Sequence, residues 1–315
     1  MKRKEFKIMS EQITSTLLMI RPSNFGFNEE AFISNSFQTK PNENEKEFVQ
    51  SLALNEFNAY LEQLIKLNVE VMVFDDVENS STPDSIFPNN WISFHENGKL
   101  FMHSMLVPNR RMERRHDIVD FFVDKYNYTI EDLSDSENRT PAVFLEGTGS
   151  MIFDHVSKKV YAAISPRTDE LLVKSFANRI GYESVLFQAY GKRGEEIYHT
   201  NVMLCIGESF AVVGLDTIKS EQREFVKNEF LKDGKELIEL TNEQVYRHFA
   251  GNMLQVKNKK NERILVMSQS AFDSLTQNQL KQIRKLNDHI LQVAIPTIEK
   301  IGGGSARCMI AEVFK

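Results

Sequence analysis

The sequence predicts an α/β fold in which five similar modules close into a ring. Short apolar stretches alternate with polar, helix-like segments along most of the 315 residues. The first strands of four modules, near residues 91, 144, 203 and 254, lie roughly 50–60 residues apart, a spacing typical of repeat architectures. The amino-terminal module lacks one strand, which the end of the chain can supply. The alternative is an ordinary α+β domain without a repeat.

The first module is incomplete within the amino-terminal sequence. It has predicted strands at residues 17–20 and 69–74, and a predicted helix between them at about 45–67. Residues 309–314 have the apolar character of the missing strand. We therefore expect the N- and C-terminal strands to share one sheet, because a closed radial repeat protects its sheet edges.

The remaining four modules repeat the order strand, strand, helix. The predicted strands occupy residues 91–94, 100–102, 143–145, 151–153, 160–164, 184–187, 202–206, 210–213, 253–256 and 264–266. The predicted helices lie near residues 110–126, 168–180, 220–231 and 276–286. Asp169 and Glu170 begin the second of these helices, where acidic side chains interact favourably with the helix dipole. Thr276 and Gln279 form a capping-box pattern at the start of the last one.

Composition and charge argue against several classes of protein. A net charge of −6 argues against nucleic acid as the main partner. No apolar stretch approaches the length of about 18 residues that a membrane span needs. Cys205 and Cys308 provide neither a disulfide framework nor a metal-ligand spacing, so we expect a cytoplasmic protein. We also expect a disordered lead-in at residues 1–10 and a single catalytic domain at residues 11–315.

Four polar segments are expected to meet at one end of the ring. They are residues 83–90, 146–150 and 198–201, and the glycine-rich residues 302–304 that precede Cys308. Equivalent loops of a radial repeat converge near its axis. Cys308, His199 and Glu146 then contribute a thiol, an imidazole and a carboxylate from three separate repeats. Covalent hydrolysis at an sp² carbon requires this set of groups.

Each of these three residues has a chemical role and a structural alternative. Cys308, at a predicted junction of loop and strand, would attack as a thiolate, or it is a small buried apolar residue. His199 would transfer protons near neutral pH, or it makes a structural hydrogen bond. Glu146 would hold the imidazole or protonate a leaving nitrogen, or it is a solvated turn residue. Cys205 lies within an apolar run and is assigned to the core.

These residues resemble the pentein superfamily of guanidine-modifying enzymes, which includes arginine deiminases, amidinotransferases and dimethylarginine dimethylaminohydrolases. The resemblance is carried by Pro83-Asp84-Ser85-Ile86-Phe87, Glu146-Gly147, His199 and the three glycines before Cys308. It implies a five-bladed ββαβ propeller over essentially the whole chain. It also implies that Cys308 is the nucleophile, His199 the general acid and base, and Glu146 the partner carboxylate.

The resemblance extends to the substrate contacts. Asp84 would bind the substrate nitrogens. Arg167, and either Arg110 or Arg111, would bind an amino acid α-carboxylate. The alternative is that these arginines are surface charges at helix ends. The other implied contacts are Phe87, Asn90, Asn201, Gly303 and Gly304.

The departures from the deiminase motifs concern charge. Deiminases carry Glu-Gly-Gly-Asp and His-x-Asp, whereas this chain has Glu146-Gly147-Thr148-Gly149 and His199-Thr200-Asn201. Asn89-Asn90 replaces an acidic pair. A buried cation needs a paired anion, whereas an amide can donate to a carbonyl oxygen and accept from an N–H group. The missing negative charge therefore favours a neutral ureido group over a guanidinium.

The whole pattern looks like the citrulline-utilisation branch of the superfamily, also called arginine deiminase-related. The implied reaction converts citrulline to ornithine, carbon dioxide and ammonia through an S-carbamoyl enzyme, and it needs no cofactor or metal. Asn201, with Asn90 or backbone N–H groups near Gly303 and Gly304, would stabilise the oxyanion. The alternatives are a hydrolase that makes citrulline from arginine or dimethylarginine, an amidinotransferase, and a non-catalytic amino acid-binding propeller. The expected partner is the small amino acid substrate, and self-association into a homo-oligomer stays open.

Overall fold

The computed structural model describes residues 11–78 and 80–315, so the predicted lead-in at residues 1–10 lies outside it. Within this part of the chain the strands form five separate sheets of three strands each. The strands are β1 (Thr16–Arg21), β2 (Glu70–Asp75), β3 (Ile92–His95), β4 (Lys99–Met102), β5 (Thr129–Asp132), β6 (Ile152–Asp154), β7 (Lys159–Ala163), β8 (Glu183–Phe187), β9 (Leu204–Ile206), β10 (Phe210–Val213), β11 (Glu236–Glu239), β12 (Leu254–Lys257), β13 (Arg263–Ser268), β14 (His289–Val293) and β15 (Ala311–Glu312).

Helices lie between the strands, both within the modules and between them. The α-helices are α1 (Glu29–Phe32), α2 (Glu43–Lys66), α3 (His116–Tyr126), α4 (Gly147–Ser150), α5 (Glu170–Ile180), α6 (Ser220–Lys232), α7 (Asn242–His248), α8 (Gln269–Ser274) and α9 (Gln277–Leu286). Short 3₁₀ turns lie at Pro88–Asn90, Pro108–Glu113, Ser134–Asn138, Thr200–Val202 and Leu215–Thr217, and a π-helical turn lies at Ile298–Gly302. In the described residues no helix is long and apolar enough to span a membrane.

All five modules share one topology. The first strand pairs antiparallel with the second, and the second pairs parallel with the third. Each parallel pair is joined by a helical crossover, because parallel neighbours cannot be linked by a tight turn. The crossovers are α2, α3, α5, α6 and the pair α8–α9. The predicted α/β repeat is confirmed as a propeller-like arrangement of five small mixed sheets, which is not a closed barrel.

The two ends of the chain meet in the first sheet. β15 pairs antiparallel with β1, with Leu17 opposite Glu312, and β1 pairs parallel with β2, with Thr16 opposite Glu70. First strands of neighbouring modules also contact one another, as β15 does with β3 and β9 with both β6 and β12. The loops that precede these strands therefore lie close together.

Burial follows the position of each strand in its sheet. Every residue of the central strands β7 and β10 is buried, whereas three of the four residues of the outer strand β5 are exposed. Helices bury one apolar stripe each, such as Val173, Phe176 and Ala177 of α5. The predicted capping box of α9 is present, with Thr276 accepting from the backbone N–H of Gln279. A local sequence signal thus marks where α9 begins.

Three predicted elements differ from the structure. Residues 143–145 form no strand, because the backbone N–H of Leu145 donates to the Ser104 hydroxyl and the chain then turns into α4. The third module begins instead at β6. The predicted helix near 110–126 begins only at His116, after a 3₁₀ turn. Cys308 lies in a turn rather than at a strand start, since its N–H donates to the carbonyl oxygen of Ser305.

Candidate active site

The loops that precede the first strands contact one another at one end of the molecule. The turn Pro88–Asn90 contacts α4, and α4 contacts the turn Thr200–Val202. Gly149 of α4 makes this close approach possible. A Cβ at this position would lie 2.4 Å from the Asn90 Nδ2 atom and 2.8 Å from the His199 ring. The repeat therefore brings an amide and an imidazole from two modules to the same point.

These loops, together with the segment before β15, line a narrow cavity of about 10 Å³. Asn35 lines the cavity although no sequence pattern indicated it, whereas Tyr198 and Gly302 belong to the predicted polar segments 198–201 and 302–304. Glu146 and Asn201 lie behind the lining and contact it. The lining residues that the sequence did predict are Asp84, Phe87, Asn90, Arg110, Arg167, His199, Gly303, Gly304 and Cys308.

His199 and Glu146 form a buried pair. The His199 Nε2 atom lies 2.7 Å from a Glu146 carboxylate oxygen, and the other oxygen accepts from the backbone N–H of Leu106 at 2.9 Å. Burial lowers the pKa of His199 to about 4, although Glu146 opposes this shift. Burial favours the neutral form of Glu146, but Arg167 and His199 outweigh it and hold its pKa well below the usual range. At neutral pH an uncharged imidazole thus donates through Nε2 to a carboxylate, and its Nδ1 atom is left to exchange a proton.

Arg167 supports this pair from inside the protein. Only 1% of the residue is exposed, which excludes the alternative of a surface charge. Its guanidinium lies 3.3 Å from Glu146 and also donates to the Ser34 hydroxyl and the Ala31 carbonyl oxygen. It lies over the Tyr198 ring, 5.2 Å from the ring centre.

Arg110 lies across the cavity in a second buried ion-pair cluster. It makes two hydrogen bonds with Glu113, at 2.8 and 2.9 Å, and donates to the Asn90 Oδ1 atom at 2.9 Å. Asp84 lies 3.7 Å from the same guanidinium and accepts from the Asn28 amide at 2.7 Å. Burial raises the pKa of Asp84, and Arg110 opposes that shift. Neither Glu113 nor Asn28 was among the predicted substrate contacts.

Arg111 is not among the residues that line the cavity, unlike Arg110, its predicted alternative. Its guanidinium donates to the carbonyl oxygens of Met105 and Leu106, and it lies 3.3 Å from Glu137. These contacts hold the loop after β4. Adjacent arginines are equivalent in the sequence, but the 3₁₀ turn points only Arg110 inward.

Three polar atoms at the site have no hydrogen-bond partner among the described residues. They are the Asp84 Oδ1 atom, the Asn90 Nδ2 atom and the Asn201 Oδ1 atom. The Asn90 amide orientation follows from Arg110, because a guanidinium only donates and must face the amide oxygen. Of these residues Asp84 and Asn90 line the cavity, so the site offers one acceptor and one donor to a bound molecule.

Two asparagines contact the Cys308 sulfur. The Nδ2 atoms of Asn201 and Asn252 lie 3.3 and 3.2 Å from Sγ. Asn252 was missed in the sequence. It lies two residues before β12, as Asn90 lies two residues before β3, so the repeat itself carried a signal for it.

The second cysteine, Cys205, does not line the cavity. Cys205 is buried in β9, and burial raises its pKa to about 12, in agreement with its assignment to the core. Within residues 11–78 and 80–315 no group of three or more His, Cys, Asp or Glu side chains could hold a metal ion.

Structural comparison finds the same fold in arginine-modifying enzymes. The N-terminal domain of ArgZ, covalently bound to a reaction intermediate, has a TM-score of 0.74 at 15% identity, with 95% of this chain and 97% of that chain covered. ArgZ is an arginine dihydrolase from the ornithine–ammonia cycle in cyanobacteria. A dimethylarginine dimethylaminohydrolase adduct with S-methyl-L-thiocitrulline has a TM-score of 0.62 at 17% identity, with 95% and 99% covered. A complex of AgrE with L-arginine matches with a TM-score of 0.73 at 15% identity, and this chain covers 40% of its length.

At identities of 15–17%, the likeness to these solved structures shows only the fold. The family membership of the chain comes from sequence comparison. A search of curated proteins found no match. The family model described as N,N dimethylarginine dimethylhydrolase, eukaryotic, matches residues 21–315. Because that match spans nearly the whole chain, the protein belongs to this family of the pentein superfamily and is a hydrolase of non-peptide carbon–nitrogen bonds.

Proposed function

We propose that this protein is a cysteine hydrolase that converts citrulline to ornithine, carbon dioxide and ammonia. The orientation of the Asn90 amide carries the proposal. Arg110 engages its oxygen at 2.9 Å, so the buried Nδ2 atom remains a donor without a partner in the described residues. A ureido oxygen can accept from it, whereas a guanidinium has no acceptor. A guanidinium would leave this donor unpaired, at a cost of about 1–3 kcal/mol.

Charge at the site supports the same substrate. Asp84 already lies near Arg110, and Glu146 contacts Arg167 at 3.3 Å. A neutral ureido group needs no further counter-charge when it is buried. Its N–H groups can donate to the free Asp84 Oδ1 atom.

In the proposed first step, neutral His199 takes the proton of the Cys308 thiol. Sγ then attacks the ureido carbon, and the carbonyl electron pair moves to oxygen. Amide N–H groups of Asn201 and Asn90 would stabilise that oxyanion, and one such donor typically contributes about 3 kcal/mol. Protonated His199 gives its proton to the δ-nitrogen, the C–N bond breaks and ornithine leaves.

The second step releases the carbamoyl group. His199, neutral again, takes a proton from a water that attacks the S-carbamoyl carbon. The C–S bond breaks, protonated His199 returns its proton to the Cys308 Sγ atom, and carbamic acid departs and decomposes to carbon dioxide and ammonia. The covalent intermediate described for the ArgZ domain is consistent with such a route on this fold.

We also propose that the ring of sheets is closed and forms a single domain. The five sheets would be the blades of a closed ββαβ propeller forming one catalytic domain over residues 11–315. A cytoplasmic location and self-association stay predictions. The amino acid is the expected small-molecule partner.

A guanidino substrate is the second candidate. The free Asp84 Oδ1 atom is an anionic acceptor suited to a guanidinium, and the matching family model is described as a dimethylarginine hydrolase. This candidate predicts citrulline as the product from arginine or dimethylarginine.

Product analysis tests both candidates. The purified protein is incubated separately with citrulline, arginine and dimethylarginine, and the products are identified by mass spectrometry beside a Cys308→Ser control. Ornithine from citrulline supports the proposal. Citrulline from a guanidino compound refutes the substrate but keeps the nucleophile. Turnover by Cys308→Ser refutes the nucleophile.

A further inference from the structure

We propose that Asn252 belongs to the catalytic group and stabilises the thiolate of Cys308. The inference rests on the proposed role of Cys308 as the nucleophile, but not on the identity of the substrate. Asn252 is fully buried, and its Nδ2 atom lies 3.2 Å from Sγ.

The amide orientation is set by two backbone contacts. The Asn252 Oδ1 atom accepts from the backbone N–H of Arg307 at 3.0 Å, and Nδ2 donates to the carbonyl oxygen of Asn201 at 2.9 Å. A backbone N–H can only donate and a carbonyl can only accept, so the amide cannot be flipped. The sulfur therefore faces an N–H donor.

The position of Asn252 follows from the packing of two modules. Gly251 precedes it, and a Cβ on Gly251 would lie 2.5 Å from the Val202 carbonyl oxygen. The missing side chain lets the loop before β12 pack against the loop before β9. Asn201 and Asn252 then meet, and both donate to one sulfur atom.

Two such donors favour an anionic sulfur. A hydrogen bond to an ionised acceptor is roughly twice as strong as one to a neutral acceptor. Cys308 is only 3% exposed, so amide donors take the place that water would occupy around a free thiolate. Without them a buried thiolate would be strongly disfavoured.

Other charged groups around the cavity also affect the ionisation of the Cys308 thiol. The charges of Arg110 and Arg167 favour a sulfur anion and that of Asp84 opposes it, while neutral His199 and Tyr198 complete the lining. Glu146 lies behind His199 and also opposes it. The test must therefore change Asn252 and leave these groups in place.

Two variants, Asn252→Ala and Asn252→Asp, test the donor. Asn252→Asp keeps an acceptor for the Arg307 N–H but puts a carboxylate oxygen against the sulfur. Ultraviolet absorbance of the thiolate is titrated against pH, and the same curve from a Cys308→Ser partner is subtracted in each background. We expect the midpoint to rise by about one to two pH units in Asn252→Ala, and further in Asn252→Asp.

Activity provides a second readout. The kcat/KM of Asn252→Ala should fall about tenfold or more near neutral pH, and the deficit should shrink as rising pH restores the thiolate. A merely structural role predicts an equal deficit at every pH. Asn287→Ala is the matched control, because this buried amide also makes two hydrogen bonds in the same module without contacting the site.

Asn287→Ala should lower stability and leave the thiolate midpoint unchanged. Unchanged midpoints in both Asn252 variants overturn the proposal. Turnover by Cys308→Ser in the wild-type background would overturn the nucleophile and this inference together. Whether the product is ornithine or citrulline affects neither the role of Cys308 nor that of Asn252.

Discussion

At the scale of single residues, the site is a set of groups whose protonation and orientation are each set by a neighbour. Glu146 orients His199, and Arg167 keeps Glu146 ionised despite its burial. Arg110 orients Asn90 in the same way. The proposed chemistry therefore depends on the residues that orient His199 and Asn90 as much as on Cys308 itself.

Replacing Glu146 by Gln should reduce kcat by roughly a hundredfold or more, because the imidazole loses its ionised partner. It should also lower the free energy of unfolding by about 3–5 kcal/mol, since Arg167 loses its buried counter-charge. Steady-state kinetics and urea unfolding measure the two effects. Asp154→Asn, which unpairs the buried Lys235, is the control that should lower stability and spare kcat.

Replacing Asn90 by Asp tests the substrate directly. The change removes the free donor and adds a negative charge beside Arg110, so kcat/KM for citrulline should fall about tenfold to a hundredfold. Binding of a guanidino amino acid, measured by calorimetry, should improve. Asn90→Ala should lose the citrulline activity without that improvement. Normal citrulline kinetics in Asn90→Asp would mean that the ureido argument is wrong.

At the scale of elements, short turns rather than regular helices and strands carry the site. α4 has only four residues, yet it lies between the loops that hold Asn90 and His199. The prediction of a strand at residues 143–145, directly before α4, was wrong. Propensity over a few residues is weak, and tertiary contacts decide such segments.

Gly149→Ala should impair catalysis while the protein still folds. The added Cβ would lie 2.4 Å from the Asn90 amide and 2.8 Å from the His199 ring, so one of them must move. A displacement of about 1 Å can cost a hundredfold in rate. Gly181→Ala is the control, because Gly181 has a φ of +76° with no atom within 4 Å of its added Cβ.

The control should cost about 1 kcal/mol of stability through backbone strain and leave kcat unchanged. Kinetics and thermal unfolding of both variants distinguish a local displacement from a general loss of stability. Equal kcat in Gly149→Ala and the wild type would contradict the close approach as a requirement for activity.

At the scale of the whole molecule, the fold buries several uncharged histidines. Burial lowers the pKa of His103 to about 3 and of His155 and His199 to about 4, from an ordinary value of 6.5. The unfolded chain therefore binds more protons below about pH 6.5 than the folded protein does. Stability from these residues is present above that pH and falls as the solution is acidified.

Urea unfolding at pH 7 and pH 5 should show this loss, with about 2 kcal/mol from each histidine whose pKa is near 4. His155→Gln should remove its share of the difference, because the variant has no proton to gain. The low pKa of Glu146 acts in the same direction only at lower pH, below its ordinary range. Equal stability at the two pH values would contradict the burial of neutral imidazoles.

Much of the architecture follows from the sequence alone. Alternating apolar stretches, the repeat spacing and the incomplete first module predicted the five sheets and the pairing of the N- and C-terminal strands. Caps such as Thr276 marked helix starts. These signals are local or periodic, so they are visible without knowing which distant residues touch.

Only the tertiary structure decided which side chains share the cavity and how they are oriented. Arg110 and Arg111 are adjacent in sequence, yet a single turn sends one inward and the other toward backbone carbonyls. Asn252 meets Cys308 across 56 residues, and the direction of its amide depends on backbone groups from two other loops. Such contacts arise from packing between modules, so the spacing of residues within one module does not predict them.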